Sequence, residues 1–318
     1  MKIVILDGYT LNPGDLSWEG FKEVGEVEVY DRTPEEMIEQ RIGDAEIIIT
    51  NKTPISKKII SNCSSIKYIG VLATGYDVID VSAAHEKGII VTNVPTYGTD
   101  TVAQFTFGMI LEMCLNIGLH SDSVKEGEWQ NNQDWCYWKK PLIELAGKTI
   151  GIVGFGRIGQ NVGSIAKSFG MNVNFFDLNT IKGFENEGFT QKTLSELLET
   201  SDIVTLHCPL TEETSKIING ETLSLMKTTA FLVNCSRGGL VDEYALRDAL
   251  NNNEIAGAAV DVVSTEPIKG DNPLLKAQNI IITPHIAWGT KEARARIMEM
   301  AKNNVISYIN GNIQNEIK

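Results

Sequence analysis

Short runs of apolar, mostly β-branched residues alternate along the chain with segments whose apolar residues recur at helical spacing. In the first hundred residues the predicted strands are KIVILD, EVEVY, AEIIIT, KYIGVL and GIIVTN. The predicted helices between them are GDLSWEGFKEVG, TPEEMIEQRIG and DVIDVSAAHEKG, each with a cap or a terminal glycine. Strand–helix alternation of this kind predicts a parallel sheet covered by helices on both faces.

The alternation stops at the turn-forming segment VPTYG, which ends at Gly98, and this segment is predicted to be a hinge. A second alternation then begins. Its predicted strands are KTIGIV, NVNFFD, DIVTLH, TAFLVN, IAGAAVD and NIIIT. The pattern therefore predicts an α/β protein with two units, of which the second is the larger.

Two segments depart from this alternation. The segment TVAQFTFGMILEMCLNIG, residues 101–118, is apolar round most of a helix, with Glu112 as its only charge. Burial in the core of its own unit and burial against a second subunit would each account for this pattern. The polar loop that follows carries three tryptophans, Trp129, Trp135 and Trp138. They indicate either a contact surface or a loop packed on itself.

The charge of the chain limits the partners that it can bind. With 28 basic and 41 acidic residues its net charge is −13, which argues against a nucleic-acid or an anionic-membrane surface. A small anionic substrate would need a local cluster of positive groups. The apolar run at the start, Ile3 to Leu6, ends at Asp7 and is predicted to be a strand rather than a signal sequence, and no apolar stretch approaches the length of a membrane span.

The number and spacing of the cysteines predict the cellular compartment of the protein. Cys63, Cys114, Cys136, Cys208 and Cys235 are scattered, odd in number and without CxxC spacing. This arrangement is typical of reduced thiols in a cytoplasmic protein rather than of disulfides or of a metal site. We therefore expect a cytoplasmic protein without a bound metal.

A glycine motif directly follows the strand KTIGIV. In GIVGFGRIGQNV, Gly154, Gly156 and Gly159 have the GxGxxG spacing and precede a predicted helix. In this context the first glycine permits a tight turn, the second lets a pyrophosphate approach the backbone, and the third lets helix and strand pack closely. Helix N–H groups would then face the phosphates. The motif alone is weak evidence, but between a strand and a helix it predicts a dinucleotide site.

An acidic residue ends the next strand. Asp177 closes NVNFFD, where a carboxylate can accept hydrogen bonds from both ribose hydroxyls of NAD. The same carboxylate would repel the 2′-phosphate of NADP, and the residues that follow, Leu178 and Asn179, offer no arginine to receive it. The sequence therefore predicts NAD as cofactor, with NADH preferred over NADPH.

Three successive strands end close to a charged residue. Arg237 follows TAFLVN, Glu266 lies in the loop after IAGAAVD, and His285 follows NIIIT. Singly, they could be a surface ion pair, a solvated loop acid and a capped turn histidine. Because the ends of parallel strands lie at one edge of a sheet, where ligands bind in open α/β folds, we expect the three to converge.

These residue types suit the reduction of a 2-oxo acid. Histidine can supply a proton to the carbonyl oxygen near neutral pH. A carboxylate beside it favours the imidazolium and fixes the ring, and the planar guanidinium of arginine suits a substrate carboxylate.

On these motifs the chain resembles the D-isomer-specific 2-hydroxyacid dehydrogenases over essentially its whole length. The matching segments are VLATGYDVID, TVAQ, GIVGFGRIGQ, HCPLTEET, NCSRGGLVDE, DVVSTEP and TPHIAW. The resemblance implies that Arg237 binds substrate, Glu266 supports the histidine and His285 is the acid/base. It also implies that backbone N–H groups of Ala73, Thr74 and Gly75 hold the substrate carboxylate. One departure is Gln104, where many relatives carry glutamate, and we expect only local hydrogen bonding to change.

The same resemblance implies the fold and the assembly. A doubly wound dinucleotide-binding domain, residues 99–289, would be inserted in a smaller, flavodoxin-like substrate domain formed by residues 1–98 and 290–318. Both domains are Rossmann-like α/β units. The resemblance further implies a homodimer through the NAD-binding domain, and hinge closure that excludes water. The predicted cofactor contacts, beyond the three glycines and Asp177, are Thr101, Arg157, Ile158, Cys208, Pro209, Cys235, Ser236 and Asp261.

Within the family, LDGYTLNPGDLSW and PHIAW are most similar to the glycerate dehydrogenases, or hydroxypyruvate reductases. The implied activity is NADH-dependent reduction of hydroxypyruvate or glyoxylate to D-glycerate or glycolate. Two alternatives remain. One is a D-lactate or phosphoglycerate dehydrogenase, because a methyl-sized pocket difference shifts preference by only ~1–3 kcal/mol. The other is a protein on the same fold that senses NADH and binds a partner without catalysis.

Overall fold

The computed structural model describes residues 1–181, 183–184 and 187–318. The chain folds into two compact units, one formed by Met1–Gly98 with Trp288–Lys318 and the other by Thr99–Ala287. The second unit is thus inserted between two parts of the first. The chain re-enters the first unit at Trp288, two residues before the predicted position. The reason is that Trp288 packs against the core of that unit, edge-on to Tyr97, with ring centroids 6.4 Å apart.

The first unit is built on five parallel strands. These are β1 (Lys2–Ile5), β2 (Glu26–Val29), β3 (Ile47–Thr50), β4 (Tyr68–Val71) and β5 (Ile90–Thr92). Their order is β2-β1-β3-β4-β5, and every pairing is parallel. This 2-1-3-4-5 order is that of flavodoxin-like folds. The helices are α1 (Glu19–Lys22), α2 (Ile38–Ile42), α3 (Lys57–Asn62), α4 (Val81–Glu86) and, after the inserted unit, α11 (Lys291–Ile309).

The inner strands of this sheet are apolar on both faces because each face carries a core. In β3, Ile48 lies in the core on one face, whereas Ile47 and Ile49 lie in the core on the other. All three side chains are fully buried. A parallel sheet covered on both sides needs continuous apolar runs of this kind, which is why the strands were recognisable from the sequence.

Two helical predictions in this unit differ from the structure. The first predicted helix, GDLSWEGFKEVG, is reduced to the four residues of α1. The residues before it form a turn in which Asn12 Oδ1 accepts hydrogen bonds from the N–H groups of Gly14 and Leu16. Helix α3 was not predicted; it buries only Ile59 and Ile60, so its apolar pattern is short.

In the second unit, the described residues form a sheet of seven parallel strands. These are β6 (Thr149–Val153), β7 (Asn172–Phe176), β8 (Phe189–Gln191), β9 (Ile203–Leu206), β10 (Phe231–Asn234), β11 (Gly257–Val260) and β12 (Ile280–Ile282). Their order is β12-β11-β10-β9-β6-β7-β8. The first six strands follow the 3-2-1-4-5-6 order of dinucleotide-binding folds, and β12 extends the sheet beside β11. The helices are α5 (Thr99–Leu115), α6 (Ile117–Lys125), α7 (Arg157–Ser168), α8 (Leu194–Thr200), α9 (Gly220–Ser224) and α10 (Glu243–Asn251).

The fold-class prediction, two parallel-sheet α/β units, is confirmed by these topologies. Two details were wrong or missing. The long apolar helix ends at Leu115 rather than at 118, because Asn116 adopts a left-handed conformation (φ 48°) and a separate helix, α6, begins after it. Strand β8 was not predicted, because only one of its three residues, Phe189, is apolar and buried.

Much of α5 packs into the core of its own unit. Val102, Phe107, Met109 and Ile110 are buried there, which accounts for most of its apolar character. Among the described residues no single helix is long and apolar enough to cross a membrane; α5 and α6 pass that test only as a pair bent by 57°.

Candidate active site

The loop after β10 carries Arg237 and is shaped by a buried asparagine. Asn234 ends the strand, and its Oδ1 accepts a hydrogen bond from the N–H of Ser236 at 3.0 Å. Its Nδ2 donates to the carbonyl of Arg237 at 2.9 Å. The side chain therefore bridges both ends of a tight turn, as asparagine does in Asx turns. The guanidinium of Arg237 is half-buried, and its Nη1 donates to the Ser236 carbonyl.

A glycine joins this loop to the loop after β11. A Cβ at Gly238 would lie 2.0 Å from the carbonyl carbon of Val263, so no larger residue fits without a shift of the backbone. Because β10 and β11 are neighbours in the sheet, this contact places the loop of Arg237 directly against the loop that leads to Glu266.

Glu266 and His285 are brought together, as predicted. His285 Nδ1 and Glu266 Oε2 are 2.6 Å apart, and both side chains are about two-thirds buried. The other carboxylate oxygen of Glu266 accepts a hydrogen bond from the N–H of Val263 at 3.2 Å. The two residues follow β11 and β12, which pair in the sheet, so the strand order alone brings their loops to the same edge.

His285 has a strained backbone that a buried carboxylate holds in place. Its φ is +55°, in the left-handed region that a residue with a side chain rarely adopts. Its N–H donates to the carbonyl of Asp261 at 2.8 Å. The carboxylate of Asp261, only 1% exposed, accepts from Thr283 Oγ1 and from the N–H groups of Ile286 and Ala287. Asp261 thus fixes the loop on both sides of the histidine.

The glycine loop after β6 has the geometry that its sequence predicts. Gly154 has φ +93°, and a Cβ there would lie 2.4 Å from the backbone nitrogen of Cys208. A Cβ at Gly159 would lie 2.2 Å from the Gly154 carbonyl oxygen, so the helix packs closely on the turn. At Gly156, by contrast, the space that a Cβ would enter is open. Gly156 is also the N-cap of α7 and brings no side-chain cap to the helix.

Asp177 lies at the end of β7, beside this loop. Its Oδ2 accepts a hydrogen bond from the N–H of Phe155 at 3.0 Å, and its Oδ1 accepts from the N–H of Asn179. The side chain is half-buried. The carboxylate is therefore oriented by the glycine loop itself, and both features belong to one site.

The other predicted cofactor residues of this unit lie at the same edge or near it. Arg157 and Ile158 are the first two residues of α7, and Thr101 is buried in the first turn of α5. Ser236 Oγ donates to the carbonyl of Cys208 at 2.8 Å, which joins the loops after β9 and β10. Pro209 follows Cys208, and its carbonyl accepts from Thr214 Oγ1.

The thiol of Cys235 points into the interior, where its Sγ lies 3.7 Å from Met109 Sδ. Burial raises the pKa of Cys235 to about 12 and that of Cys208 to about 11. Neither residue has the properties of a reactive thiolate. All five cysteines are free thiols.

In the first unit, the predicted anion turn follows β4. The N–H groups of Ala73, Thr74 and Gly75 donate to no acceptor among the described residues. The turn is held by the flanking groups instead: Thr74 Oγ1 donates to the Val94 carbonyl at 2.9 Å, and Asn93 Nδ2 donates to the Thr74 carbonyl at 2.8 Å. Three consecutive N–H groups are thus available for an external anion.

Comparison with known proteins agrees with this geometry. Residues 107–287 match the model of the D-isomer specific 2-hydroxyacid dehydrogenase, NAD binding domain. A hydroxypyruvate reductase of Blautia hydrogenotrophica is 52% identical over 100% of this chain and 99% of its own length. A glycerate dehydrogenase of Methylorubrum extorquens is 38% identical over the same shares. The chain belongs to the D-isomer specific 2-hydroxyacid dehydrogenase family.

Among solved structures, an acyclic imino acid reductase in complex with NADPH and D-Arg superposes with a TM-score of 0.86. It is 33% identical to this chain, and the match covers 100% of both chains. Membership of the family makes the protein an oxidoreductase that acts on the CH–OH group of 2-hydroxy acids, with a NAD-binding domain. The predicted family and enzyme class are therefore confirmed.

The residues of this dehydrogenase fit a nicotinamide dinucleotide. The open space at Gly156 and the helix N-terminus without a side-chain cap form a cradle for a pyrophosphate. The carboxylate of Asp177, held by the same loop, is placed for a ribose. Among the described residues no group of three or more His, Cys, Asp or Glu side chains could hold a metal ion.

The three remaining histidines have structural partners. His85 Nε2 lies 3.0 Å from the Ile317 carbonyl, and His120 Nδ1 lies 2.7 Å from the Asn116 carbonyl. His207, at the end of β9, bonds Thr205 Oγ1 through Nε2 at 2.9 Å, and desolvation lowers its pKa to about 3. A histidine that stays neutral at physiological pH does not serve as a proton donor there.

Proposed function

We propose that this dehydrogenase reduces hydroxypyruvate, or glyoxylate, to D-glycerate or glycolate with NADH. The relative that is 52% identical over the whole chain is named hydroxypyruvate reductase, and the glycerate dehydrogenase of Methylorubrum extorquens also matches over the full length. The observation that carries the proposal is the contact between His285 Nδ1 and Glu266 Oε2, at a sheet edge that also carries Arg237.

His285 is the acid/base in this proposal. Since Nδ1 is bonded to Glu266, we assign Nε2 to the substrate oxygen. The carboxylate of Glu266 favours the protonated ring and holds its orientation. In reduction Nε2 donates its proton to the carbonyl oxygen of the 2-oxo acid, and in oxidation it accepts the hydroxyl proton.

Arg237 binds the substrate carboxylate in this proposal. The predicted anion turn at Ala73–Gly75 belongs to the first unit, which we assign as the substrate domain. The guanidinium provides a planar pair of donors that matches a carboxylate and polarises the adjacent carbonyl. The three N–H groups of the turn offer neutral donors to an anion. A chain with net charge −13 needs such local donors to bind an anionic substrate.

The cofactor contacts predicted from the sequence remain our assignment. Gly154, Gly156 and Gly159 would hold the pyrophosphate and Asp177 the adenosine ribose, while the predicted residues after β9, β10 and β11 would surround the nicotinamide. When bound, the reduced nicotinamide supplies a hydride to C2 of the 2-oxo acid. Asp261 would act on this region through the loop of His285, because its carboxylate is engaged there.

NADH is preferred over NADPH in this proposal, because the carboxylate of Asp177 would repel a 2′-phosphate. The preference has to be measured on this chain, since a structural relative is complexed with NADPH. In Asp177→Ala we expect weaker NADH binding and a smaller ratio between the kcat/KM values for NADH and NADPH. An unchanged ratio would remove Asp177 from the ribose site.

The enzyme is a homodimer through its NAD-binding domain in this proposal. Trp129, Trp135 and Trp138 are 52%, 85% and 65% exposed, although Trp129 Nε1 donates to the Trp135 carbonyl. Despite this hydrogen bond within the loop, the indole rings are exposed to solvent. In the dimer, a second copy of the chain would bury them. Sedimentation of the wild type and of Trp135→Ala tests this, with a weaker dimer expected in the variant.

We also assign the enzyme to the cytoplasm, which five free cysteines support. Cell fractionation with an antibody against the chain tests the assignment, and recovery in an oxidising compartment would contradict it.

The deciding experiment is a substrate panel followed by NADH absorbance. Hydroxypyruvate and glyoxylate should give a higher kcat/KM than pyruvate and 3-phosphohydroxypyruvate. Preference for either of the last two would favour a D-lactate or a phosphoglycerate dehydrogenase instead. Tight NADH binding without turnover of any of the four would favour a sensor that acts through a partner.

A further inference from the structure

Beneath the loop that carries Glu266 lies a buried carboxylate that the reaction itself does not require. Glu243 is the first residue of α10 and is only 9% exposed. Its Oε1 accepts from the N–H of Ser264 at 2.7 Å, and its Oε2 accepts from Ser264 Oγ at 2.7 Å and from Asn272 Nδ2 at 3.0 Å. A buried carboxylate is costly unless its oxygens are bonded in this way.

These contacts tie the start of one loop to its end. Residues 264–271 form an exposed stretch of chain from which the Glu266 side chain turns inwards, with one-third of it exposed. Asn272, by contrast, is buried, and its Oδ1 accepts from the N–H of Leu274. Ser264 lies two residues before Glu266, and Asn272 lies six residues after it. Glu243 is therefore the interior anchor of an otherwise exposed loop whose functional member is Glu266.

The anchored segment is also in contact with the rest of the site. The N–H of Val263, adjacent to Ser264, donates to Glu266 Oε1, and its carbonyl lies against Gly238, next to Arg237. A shift of Val263 and Ser264 would consequently change the direction in which Glu266 presents its other oxygen to His285 Nδ1.

We propose that Glu243 is a positioning residue that sets the geometry of the Glu266–His285 pair through Ser264. This inference rests on the proposed function, in which His285 is the acid for reduction and Glu266 is the hydrogen-bond partner that holds its imidazole. Glu243 touches none of the reacting groups. Its carboxylate holds the loop so that Glu266 Oε2 stays within hydrogen-bond distance of the imidazole, and loss of the bonds to Ser264 would weaken that contact.

The test is the pH profile of kcat/KM for hydroxypyruvate reduction, from about pH 6 to about pH 10. Glu243→Gln keeps the shape of the side chain but replaces one carboxylate oxygen with an NH₂ group. That group cannot accept the hydrogen bonds that Ser264 and Asn272 donate. We expect the alkaline limb, the range in which kcat/KM declines as pH rises, to move to lower pH because the imidazole loses contact with a carboxylate. KM for NADH should be unchanged. Because misplacement of a reacting group can cost about 100-fold, kcat should also fall.

Two further variants keep the test independent of folding. Ser264→Ala removes only one hydroxyl at an exposed residue, and it should move the limb in the same direction by a smaller amount, with circular dichroism confirming the fold. The double variant Glu243→Gln/Ser264→Ala should move the alkaline limb no further than Glu243→Gln alone, because both substitutions act on the contact between Glu243 and Ser264. Glu221→Gln is the matched control: Glu221 is an exposed first-turn glutamate of α9 and should leave the profile unchanged.

Glu266→Gln separates this inference from the proposal on which it rests. If Glu266→Gln moves the limb but Glu243→Gln and Ser264→Ala do not, the positioning role is wrong and the proposed function stands. A uniform loss of rate at every pH in Glu243→Gln would show a structural role only and would also overturn the inference. If Glu266→Gln itself leaves the limb in place, the proposed function fails and the inference falls with it.

Discussion

The carboxyl edges of the two parallel sheets offer ligand groups of different kinds. At the edge of the seven-stranded sheet the groups are charged side chains: Arg237, Glu266 and His285. At the edge of the five-stranded sheet they are backbone N–H groups, in the turn Ala73–Gly75. Both sets of groups lie beyond the carboxyl ends of parallel strands, which is where ligands bind in open α/β folds.

The difference lies in what each edge needs for support. Charged side chains on loops must be held, and here Asn234, Asp261 and Glu243 hold the three loops through buried hydrogen bonds. The backbone turn needs only two side-chain contacts, from Thr74 and Asn93, because its donors belong to the main chain. Function at the edge of the seven-stranded sheet, the side-chain edge, should therefore be sensitive to conservative substitutions. Function at the edge of the five-stranded sheet, the backbone edge, should be sensitive to changes of backbone conformation or loss of N–H groups.

The largest effect is expected at the side-chain edge itself. In His285→Asn the ring that carries the proton is lost, so kcat/KM for reduction should fall about 10²- to 10⁴-fold. NADH affinity, measured by fluorescence titration, should stay within about threefold of the wild type because the glycine loop is untouched. His120→Asn, which changes a histidine bonded to backbone carbonyl and N–H groups, is the control. A variant with near-normal turnover would show that the proton comes from elsewhere.

A backbone contact at the same edge should be nearly as sensitive. Gly238→Ala places a Cβ 2.0 Å from the Val263 carbonyl carbon, so the loops of Arg237 and Glu266 must separate. We expect kcat/KM to fall about 100-fold, since small displacements of positioned groups are costly. Gly220→Ala, where the added Cβ meets open space, is the control. A crystal structure of the variant with unmoved loops would contradict this account.

The backbone edge can be tested with two substitutions of one residue. Thr74→Pro removes an N–H from the turn, whereas Thr74→Ala keeps the N–H and loses only the bond to the Val94 carbonyl. A hydrogen bond to a charged group contributes about 1.5–3 kcal/mol, so KM for the 2-oxo acid should rise about ten- to hundredfold in the first variant. It should change little in the second. Equal KM values in the two variants, with equal melting temperatures, would exclude these N–H groups from substrate binding.

The strand pattern predicted that Arg237, Glu266 and His285 follow successive strands, whereas the turn at Ala73–Gly75 was expected only from the family resemblance. Neither predicted the residues that support the loops. The apolar runs give the positions of the strands, and their alternation with helices makes the sheets parallel, so the loops after the strands lie at one edge. The support by Asp261 could not be predicted, because whether a carboxylate at a strand end turns to the cofactor or into its own loop depends on the backbone path of residues 283–287. In the sequence, Glu243 has the pattern of an ordinary first-turn glutamate. Only the structure shows that it bonds Ser264 and Asn272 at the two ends of a loop. Likewise, the end of α5 depends on a left-handed Asn116, which the apolar pattern does not reveal.

His207 lies at the side-chain edge without contributing to its charge, and its pKa of about 3 has a measurable consequence. A histidine in an unfolded chain has a pKa near 6.5. Between about pH 6.5 and pH 3, His207 is therefore protonated in the unfolded state but neutral in the folded state. Stability is consequently lost as pH falls from 6.5 towards 3, by about 2 kcal/mol at pH 5. In His207→Gln, urea denaturation at pH 7.5 and pH 5 should show a loss smaller by about that amount. An equal loss in both proteins would mean that His207 is protonated when folded.

The smallest effect is expected for the thiols at this edge. Burial raises the pKa of Cys208 to about 11 and that of Cys235 to about 12, so at pH 8 only about 0.1% and 0.01% are thiolate. Since only the thiolate reacts, iodoacetamide should label both about 10²- to 10³-fold more slowly than a free cysteine peptide. Cys136, which is half-buried, should be labelled first. Rapid labelling of Cys208 or Cys235 that NADH suppresses would instead place a reactive thiol beside the cofactor, and the side-chain edge would then contain a fourth chemical group.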